Sequence, residues 1–268
     1  MDAQDNDQTR AKVREAYAEV AKGSDGCGVG CCGSQQGGSL ALGYSEQDLA
    51  LAPEGSDLGL GCGNPHAIAS LRAGETVIDL GSGAGFDCFL AARRVGREGR
   101  VIGVDMTPEM IAKARGNARR VAAGNVEFRL GEIEHLPAPD ASADVVLSNC
   151  VINLAPDKAA VFREAFRVLK PGGRLAISDV VATAALPVAL RQSLEALTGC
   201  IAGAASIEAL RAFLGEAGFE DVSIEPRTDS AAIIGTCMPG AEGYLASAMI
   251  QGRKPARANC CAPACCSE

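Results

Sequence analysis

Two sets of residues can do chemistry in this chain: a stretch from Val77 to Asp87 in which glycines alternate behind an acid, and a collection of twelve cysteines. Val77-Ile78-Asp79-Leu80 reads as a buried parallel strand, Gly81, Gly83 and Gly85 as the sharp turn after it, and Phe86 to about Val95 as an amphipathic helix. A strand, glycine loop and helix in this order bind a nucleotide-like ligand at the carboxyl end of the strand. The spacing is G-x-G-x-G, with Phe86 where a dinucleotide fingerprint needs its third glycine. Asp79 would repel a pyrophosphate but attract an ammonium group. S-adenosylmethionine (SAM), which has an amine, a sulfonium and no phosphate, suits this loop. Val101 to Asp105 reads as a second strand whose terminal acid comes about 20 residues on, where a carboxylate takes ribose hydroxyls. The expected cofactor set is Asp79, Gly81, Ser82, Gly83, Gly85, Asp105 and Met106, with Glu132 and Ile133 at the adenine edge and Asn149 after the fourth strand.

Sulfur is the second reactive resource. The chain starts Met1-Asp2-Ala3-Gln4-Asp5, acidic and polar, without the basic start and apolar run of a signal peptide, and is expected to be cytoplasmic. Twelve cysteines in a reducing compartment point to metal, metalloid or redox chemistry and away from a disulfide scaffold. Cys27, Cys31 and Cys32 share a glycine-rich segment, Cys260, Cys261, Cys265 and Cys266 form a terminal C-C-x-x-x-C-C, and the other five stand alone. Zinc on Cys27 with Cys31 or Cys32 lacks a second C-x-x-C or His pair. Cys62, among glycines and before Pro65, is expected to be presented by a turn and not buried. Cys88, beside Phe89 and Leu90, reads as a small core residue. Cys150 directly follows the fourth strand, at the sheet edge where ligands of open α/β sheets bind. Cys200, in the small-residue break Gly199 to Ala204, would arch over the same edge and face it.

The elements that position these residues alternate, which predicts a Rossmann-like α/β sheet with helices on both faces, mostly parallel with an antiparallel last strand. Residues 8–22 read as an amphipathic helix through Val13, Ala16, Tyr17 and Val20, and 23–43 as a mobile loop. A short helix near Glu46 to Leu51, helices over Pro108 to Val121 and Asp157 to Leu169, and strands over Val126 to Leu130, Ala143 to Ser148 and Arg174 to Ser178 follow. After the fifth strand the alternation stops: a helix over 187–198, another between Ser206 and Gly218, and strands at Val222 to Glu225 and Tyr244 to Gln251. The expected organisation is an N-terminal segment 1–70, a SAM-binding domain 71–180, a substrate-binding insertion with the final strands 181–255, and a disordered cysteine-rich tail 256–268.

Composition excludes several classes. A hydrophobic content of 47% over 268 residues supports a real core, and a formal charge of −8 with no basic cluster argues against nucleic acid. No apolar stretch approaches a membrane span. His66 and His135 lie in no triad context and read as structural or surface groups.

The glycine loop with Asp79 and Asp105 resembles class I SAM-dependent methyltransferases. Gly59-Leu60-Gly61-Cys62-Gly63-Asn64-Pro65, Ser148-Asn149-Cys150-Val151-Ile152-Asn153-Leu154 and Gly199-Cys200-Ile201-Ala202-Gly203-Ala204 resemble, more narrowly, the arsenite SAM methyltransferases, from about Tyr44 to Arg253. The resemblance implies that Cys150 and Cys200 bind trivalent arsenic and that Cys62 with Cys31 or Cys32 completes or resets the site. It implies arsenite and methylated trivalent arsenicals as substrates, methyl transfer to the arsenic lone pair, and a thiol pair that returns arsenic to the trivalent state by forming a disulfide. A reductant of glutathione or thioredoxin type would reopen that disulfide. Two other readings stay open: a methyltransferase for a small organic acceptor such as a quinone or sterol, and a non-enzymatic metalloid binder.

Overall fold

Residues 3–23, 38–188, 203–237 and 239–256 are described by the structure, a computed structural model. Apolar runs form strands β1 (Thr76–Leu80), β2 (Arg100–Asp105), β3 (Val126–Leu130), β4 (Ala143–Asn149) and β5 (Leu169–Ala182), followed by β6 (Glu220–Pro226) and β7 (Leu245–Arg253). They join in one sheet in the order β3-β2-β1-β4-β5-β7-β6. The pairs from β3 to β5 are parallel, whereas β7 runs antiparallel to both β5 and β6, as the sequence predicts for the last strand.

Central strands are covered on both faces, so successive residues belong to different cores. Ile78, Leu80, Val146 and Ile177 face Phe162 of α7 (Lys158–Val168) and Leu210 and Leu214 of α8 (Ile207–Ala217). Val77, Val101, Val145 and Leu147 face Cys88 and Phe89 of α5 (Phe86–Val95) and Ile111 and Ala114 of α6 (Pro108–Arg120). Caps fix where the helices start: Asp157 accepts from Ala160 N at 2.8 Å and Ser206 from Ala209 N at 3.2 Å. Gly218, in the left-handed region at φ 100°, ends α8.

The N-terminal helix α1 (Ala3–Lys22) begins earlier than its apolar stripe suggested. It lies against α6, buries Val13 completely and pins itself to the loop after β3 through Arg10, which pairs with Glu134 at 3.0 Å and Glu132 at 3.4 Å. Short helices α2 (Gly38–Ala41), α3 (Glu46–Leu51) and α4 (His66–Ala69) lead into β1. The expected loop over 23–43 is corrected at its end, because α2 forms there and Leu42 is 1% exposed. Helix α9 (Ser230–Cys237) was not foreseen: Ser-Ala-Ala-Ile-Ile-Gly-Thr-Cys has neither a polar stripe nor a strong helix-forming run. β5 starts at Leu169, before Lys170-Pro171-Gly172-Gly173, and so is longer than the expected Arg174 to Ser178. Most of 187–198, all of 24–37 and the tail beyond 256 lie outside the described residues.

The glycine loop is fixed by backbone shape as well as by space. Gly85 has φ 97°, and a Cβ there would meet the Phe128 ring at 2.6 Å and the Phe89 ring at 2.8 Å. Gly74 has φ 84° but open space around it. Gly85→Ala should therefore lower stability by about 3 kcal/mol, combining left-handed strain with overpacking, and Gly74→Ala by about 1 kcal/mol from strain alone. Urea unfolding of both variants checks this; equal losses would remove the packing argument.

Candidate functional site

β1, β2 and β4 end side by side, Leu80 registering with Val104 and Ser148, and a cleft of about 1070 Å³, open mouth included, lies at that edge. Of the expected cofactor residues, Gly81, Ser82, Gly83, Asp105, Met106, Ile133 and Asn149 line it; Asp79, Gly85 and Glu132 do not. The Asp105 carboxylate accepts from Gly83 N at 3.0 Å and Thr107 N at 2.8 Å, closing the glycine loop onto the end of β2. Burial pushes this carboxyl above its ordinary range, and the two backbone donors hold the shift back.

Three features of the cleft fit SAM. A Cβ at Gly83 would meet nothing within 4 Å, so the loop leaves room for a ligand to approach the backbone. Among the described residues Ser82 Oγ is buried without a hydrogen-bond partner, so a polar ligand can satisfy it. Asp105 lines the same space, and among the described residues no cation acts on its carboxyl, while Arg10 in the wall is paired to Glu134 at 3.0 Å. The far wall comes from α1, through Arg10, Val13 and Tyr17.

Asp79 sits behind the loop, 3% exposed, and its carboxylate accepts from the Cys88 thiol at 3.2 Å. Cys88 is thus a core residue, as expected, that also supports an acid. Burial, with Asp79 beside it, pushes the thiol well up and keeps it protonated as a donor. From the glycine-loop unit it is Asp87, in the first turn of α5, that reaches the cleft in place of Asp79. It accepts from the Tyr44 hydroxyl at 2.6 Å and Asn149 Nδ2 at 3.2 Å. Tyr44 stays a phenol because burial and the Asp87 charge raise its pKa well above the ordinary value. His66 is buried as well, its Nε2 3.1 Å from Asp87 Oδ1, although no aligned hydrogen bond forms. Glu132 does not line the cleft and pairs with Arg10 at 3.4 Å and Arg14 at 3.8 Å; Glu134, which pairs with Arg10 at 3.0 Å, does line it.

The thiols meet at the next stretch of the same edge. Cys150 lines the cleft in the left-handed conformation, φ 58°, its N–H donating to Ser178 O at 2.8 Å. A non-glycine residue held there carries strain that the surroundings must impose. Cys62 is corrected from a presented side chain to a fully buried one. Glycines on both sides let its loop press into the sheet edge, where a Cβ on Gly63 would lie 2.1 Å from Ser178 Oγ. The two sulfurs and a carboxylate oxygen of Asp179 all lie within 4.8 Å of one another. Asp179 is 2% exposed and accepts from Ile152 N at 2.9 Å and Asn153 Nδ2 at 2.8 Å, so it also shapes the turn after Cys150. Leu154, Val180, Leu186, Ile234 and Leu245 pack around the pair.

The structure therefore brings Cys62 and Cys150 together, while Cys31, Cys32 and Cys200 lie outside the described residues. Sequence reasoning missed Asp87, Tyr44 and Asp179. Asp179 had a usable signal, since it stands near the carboxyl end of β5 as Asp105 does on β2.

Residues 71–218 match the family described as "Methyltransferase domain". The chain is 54% identical over 267 residues to the arsenite methyltransferase of Halobacterium salinarum, covering 94% of this chain and 68% of that one. It is 32% identical over 255 residues to the arsenite methyltransferase of Mus musculus, covering 91% and 65%. The chain thus spans about two thirds of the length of both relatives. The crystal structure of an arsenic (III) S-adenosylmethionine methyltransferase from Chlamydomonas reinhardtii matches with a TM-score of 0.60 at 34% identity, covering 82% of this chain and 73% of that one.

The buried Asp79 carboxyl has a pH consequence. Burial, then the charges of Asp87 and Asp105, raise its pKa well above the ordinary value, against the Cys88 hydrogen bond that lowers it. A carboxyl whose folded pKa is raised contributes stability that is present below its unfolded pKa, about 3.9, and is lost as pH rises through the folded value. Asp79→Asn removes that titration. Its stability relative to the native chain should therefore rise between about pH 4 and about pH 7, measured by urea unfolding at both. A difference independent of pH would contradict the assignment.

Proposed function

The chain belongs to the arsenite methyltransferase family, and from that premise we propose that it methylates trivalent arsenic held by the thiolates of Cys62 and Cys150. One observation carries the reading: two cysteine sulfurs converge beside a carboxylate at the edge of the cleft formed by the glycine loop. Trivalent arsenic is thiophilic, and a pair of soft thiolates is the donor set for it. Cys150 is also held in a strained, left-handed backbone conformation.

Bound SAM supplies an electrophilic methyl group on a sulfonium. The chain's contribution is placement. Gly81, Ser82, Gly83 and Asp105 would hold the cofactor, with Met106, Ile133 and Asn149 along the walls. Asp87 offers a carboxylate oriented by Tyr44 and Asn149, suited to an ammonium group. Cys62 and Cys150 orient the arsenic, and the apolar side chains around them exclude water from it. No general base is needed for attack by a lone pair, which agrees with His66 being packed behind the site.

Cys200 and either Cys31 or Cys32 join this scheme on the family resemblance alone. The proposal gives them the remaining thiol work: a third thiolate, and disulfide formation that returns methylated arsenic to the trivalent state. A reductant of glutathione or thioredoxin type would then restore the thiols. The physiological result would be arsenic detoxification in a cytoplasm whose reducing conditions keep the cysteines free. No described helix is long and apolar enough to cross a membrane.

Purified protein incubated with SAM, arsenite and a thiol reductant, followed by arsenic speciation, tests the activity. Cys62→Ser and Cys150→Ser should each reduce arsenite methylation at least about a hundredfold while leaving SAM affinity within about twofold, because serine lacks a soft donor. A folded Cys150→Ser protein working at the native rate would sink the site. For the cofactor, Asp105→Ala should weaken SAM binding by at least ~1.5 kcal/mol in calorimetry, since a charged hydrogen-bond acceptor and the closure of the glycine loop are lost together. Unchanged affinity would count against the cleft.

A further inference from the structure

One stripe of α1 touches both parts of the site. Arg10, Val13 and Tyr17 line the cleft, and their spacing sets them on one face of the helix. Arg10 pairs with Glu134 in the cleft wall at 3.0 Å and with Glu132 at 3.4 Å. Val13 is fully buried in the cluster that holds Cys62 and Cys150, and Tyr17 packs against that cluster. We propose that α1 is a movable cover shared by the cofactor cleft and the thiols, and that Arg10 is the positioning residue that latches it. The inference rests on the reading of the cleft as the SAM site.

Little of the fold depends on the cover. The two cores on the faces of the sheet contain no residue of α1, and among the described residues of this 20-residue helix only Val13 and Ala18 are buried apolar side chains. An element so lightly buried opens at a small fraction of the free energy of global unfolding. Near the far end of the helix, Lys113 Nζ donates to Ala21 O at 3.1 Å and supplies a pivot. The thiols need such a movement to be reached, since Cys62 is fully buried and Cys150 is 4% exposed. Other members of their cluster are held more firmly. Val180 and Leu245 belong to β5 and β7, and α9, which carries Ile234, is tied to β7 by Ser247 N donating to Ser230 Oγ at 2.8 Å.

Charge makes Arg10 the latch. Its side chain is 13% exposed and that of Glu134 4%, and two guanidinium donors, Nε at 3.3 Å and Nη2 at 3.0 Å, meet the same Glu134 oxygen. In Arg10→Gln the closed helix would bury that carboxylate without its cation, whereas an open helix returns it to water. The equilibrium therefore shifts toward the open arrangement, with two consequences of opposite sign. SAM loses a wall and is held more weakly, while Cys62 and Cys150 lose their cover and become easier to reach. A general loosening of the fold would instead expose Cys88 as well, which is fully buried in a core that α1 does not enter.

The test compares the native full chain with Arg10→Gln and Arg10→Lys in two measurements. SAM affinity is read by calorimetry, and the rate at which iodoacetamide labels Cys62, Cys150 and Cys88 is read by peptide mass spectrometry. Arg10→Gln should bind SAM about tenfold more weakly, the scale of one charge-assisted hydrogen bond, and be labelled about tenfold faster at Cys62 and Cys150 but not at Cys88. Arg10→Lys, which keeps the charge, should recover most of both. Weaker SAM binding with unchanged labelling would make Arg10 a wall residue alone, and faster labelling with unchanged SAM affinity would show that the cover is not shared. No change in either, or equal acceleration at all three cysteines, would leave no latch; each of these results overturns the proposal. If Arg10→Gln does not fold, Glu134→Gln takes its place and must show the same selective labelling. A native chain that binds no SAM would sink the cofactor reading itself, whereas the labelling contrast would still report on the cover.

Discussion

The reactive edge of this protein depends on the carboxamide of Asn149. Its Oδ1 accepts from Cys62 N at 3.1 Å, and its Nδ2 reaches Gly63 O and the Tyr44 hydroxyl, both at 2.9 Å, and Asp87 at 3.2 Å. A carboxamide has one acceptor oxygen and two N–H donors, so this one side chain is fully committed. It ties the Cys62 loop, which precedes the sheet, to the end of β4 and to the acid of the glycine-loop helix. The glycines beside Cys62 follow from that bond: a Cβ on Gly61 would lie 2.8 Å from Asn149 Nδ2. Neither a leucine nor an alanine at those positions would let the loop come close enough for its amide to be read. Placement of the Cys62 thiol and placement of the Asp87 carboxylate are therefore two outcomes of a single hydrogen-bond set.

Strain and burial complete the arrangement. Cys150 follows Asn149 directly, and the left-handed turn it adopts is what sends its side chain into the cleft edge while its amide still pairs with β5. Such a conformation costs on the order of 1–2 kcal/mol for a residue with a Cβ. The cost is met by Ser178 O on one side and by Asp179, whose carboxylate collects the amides that follow the turn, on the other.

Most of the sheet was legible because its signals are local. The strand before the glycine loop is an apolar run, the acid of β2 ends another, and Phe86–Val95 is helical to the residue. The antiparallel final strand was also readable, once the alternation had run out after β5. What escaped depends on contacts between distant segments. Asp79 looked like a ligand from its place in the motif, but it points behind the loop, where Cys88 satisfies it. Glu132 and Glu134 are indistinguishable in sequence, and both pair with Arg10 of α1, but Glu134 is the one that lines the cleft. Cys62 seemed presented because glycines suggest a surface turn; here they permit close approach to Ser178 and Asn149 instead. Asp179 had a usable signal in its place near the carboxyl end of β5, but nothing nearby in the chain announces its two sulfur neighbours.

The separation of these groups along the chain has a consequence for biosynthesis. Cys62 and Asn149 are 87 positions apart, and bringing the ends of so long a segment together costs on the order of 4 kcal/mol in an unfolded polypeptide. The cluster of Cys62, Cys150 and Asp179 does not exist until β1, β4 and β5 have assembled. A ribosome-bound chain therefore emerges with Cys62 and Cys150 as independent thiols, while neighbouring pairs such as Cys31 and Cys32 or Cys260 and Cys261 are adjacent from the moment of synthesis. The buried pair therefore comes into being only with completion of the sheet, and until then the growing polypeptide carries the two sulfurs as separate, unassembled side chains.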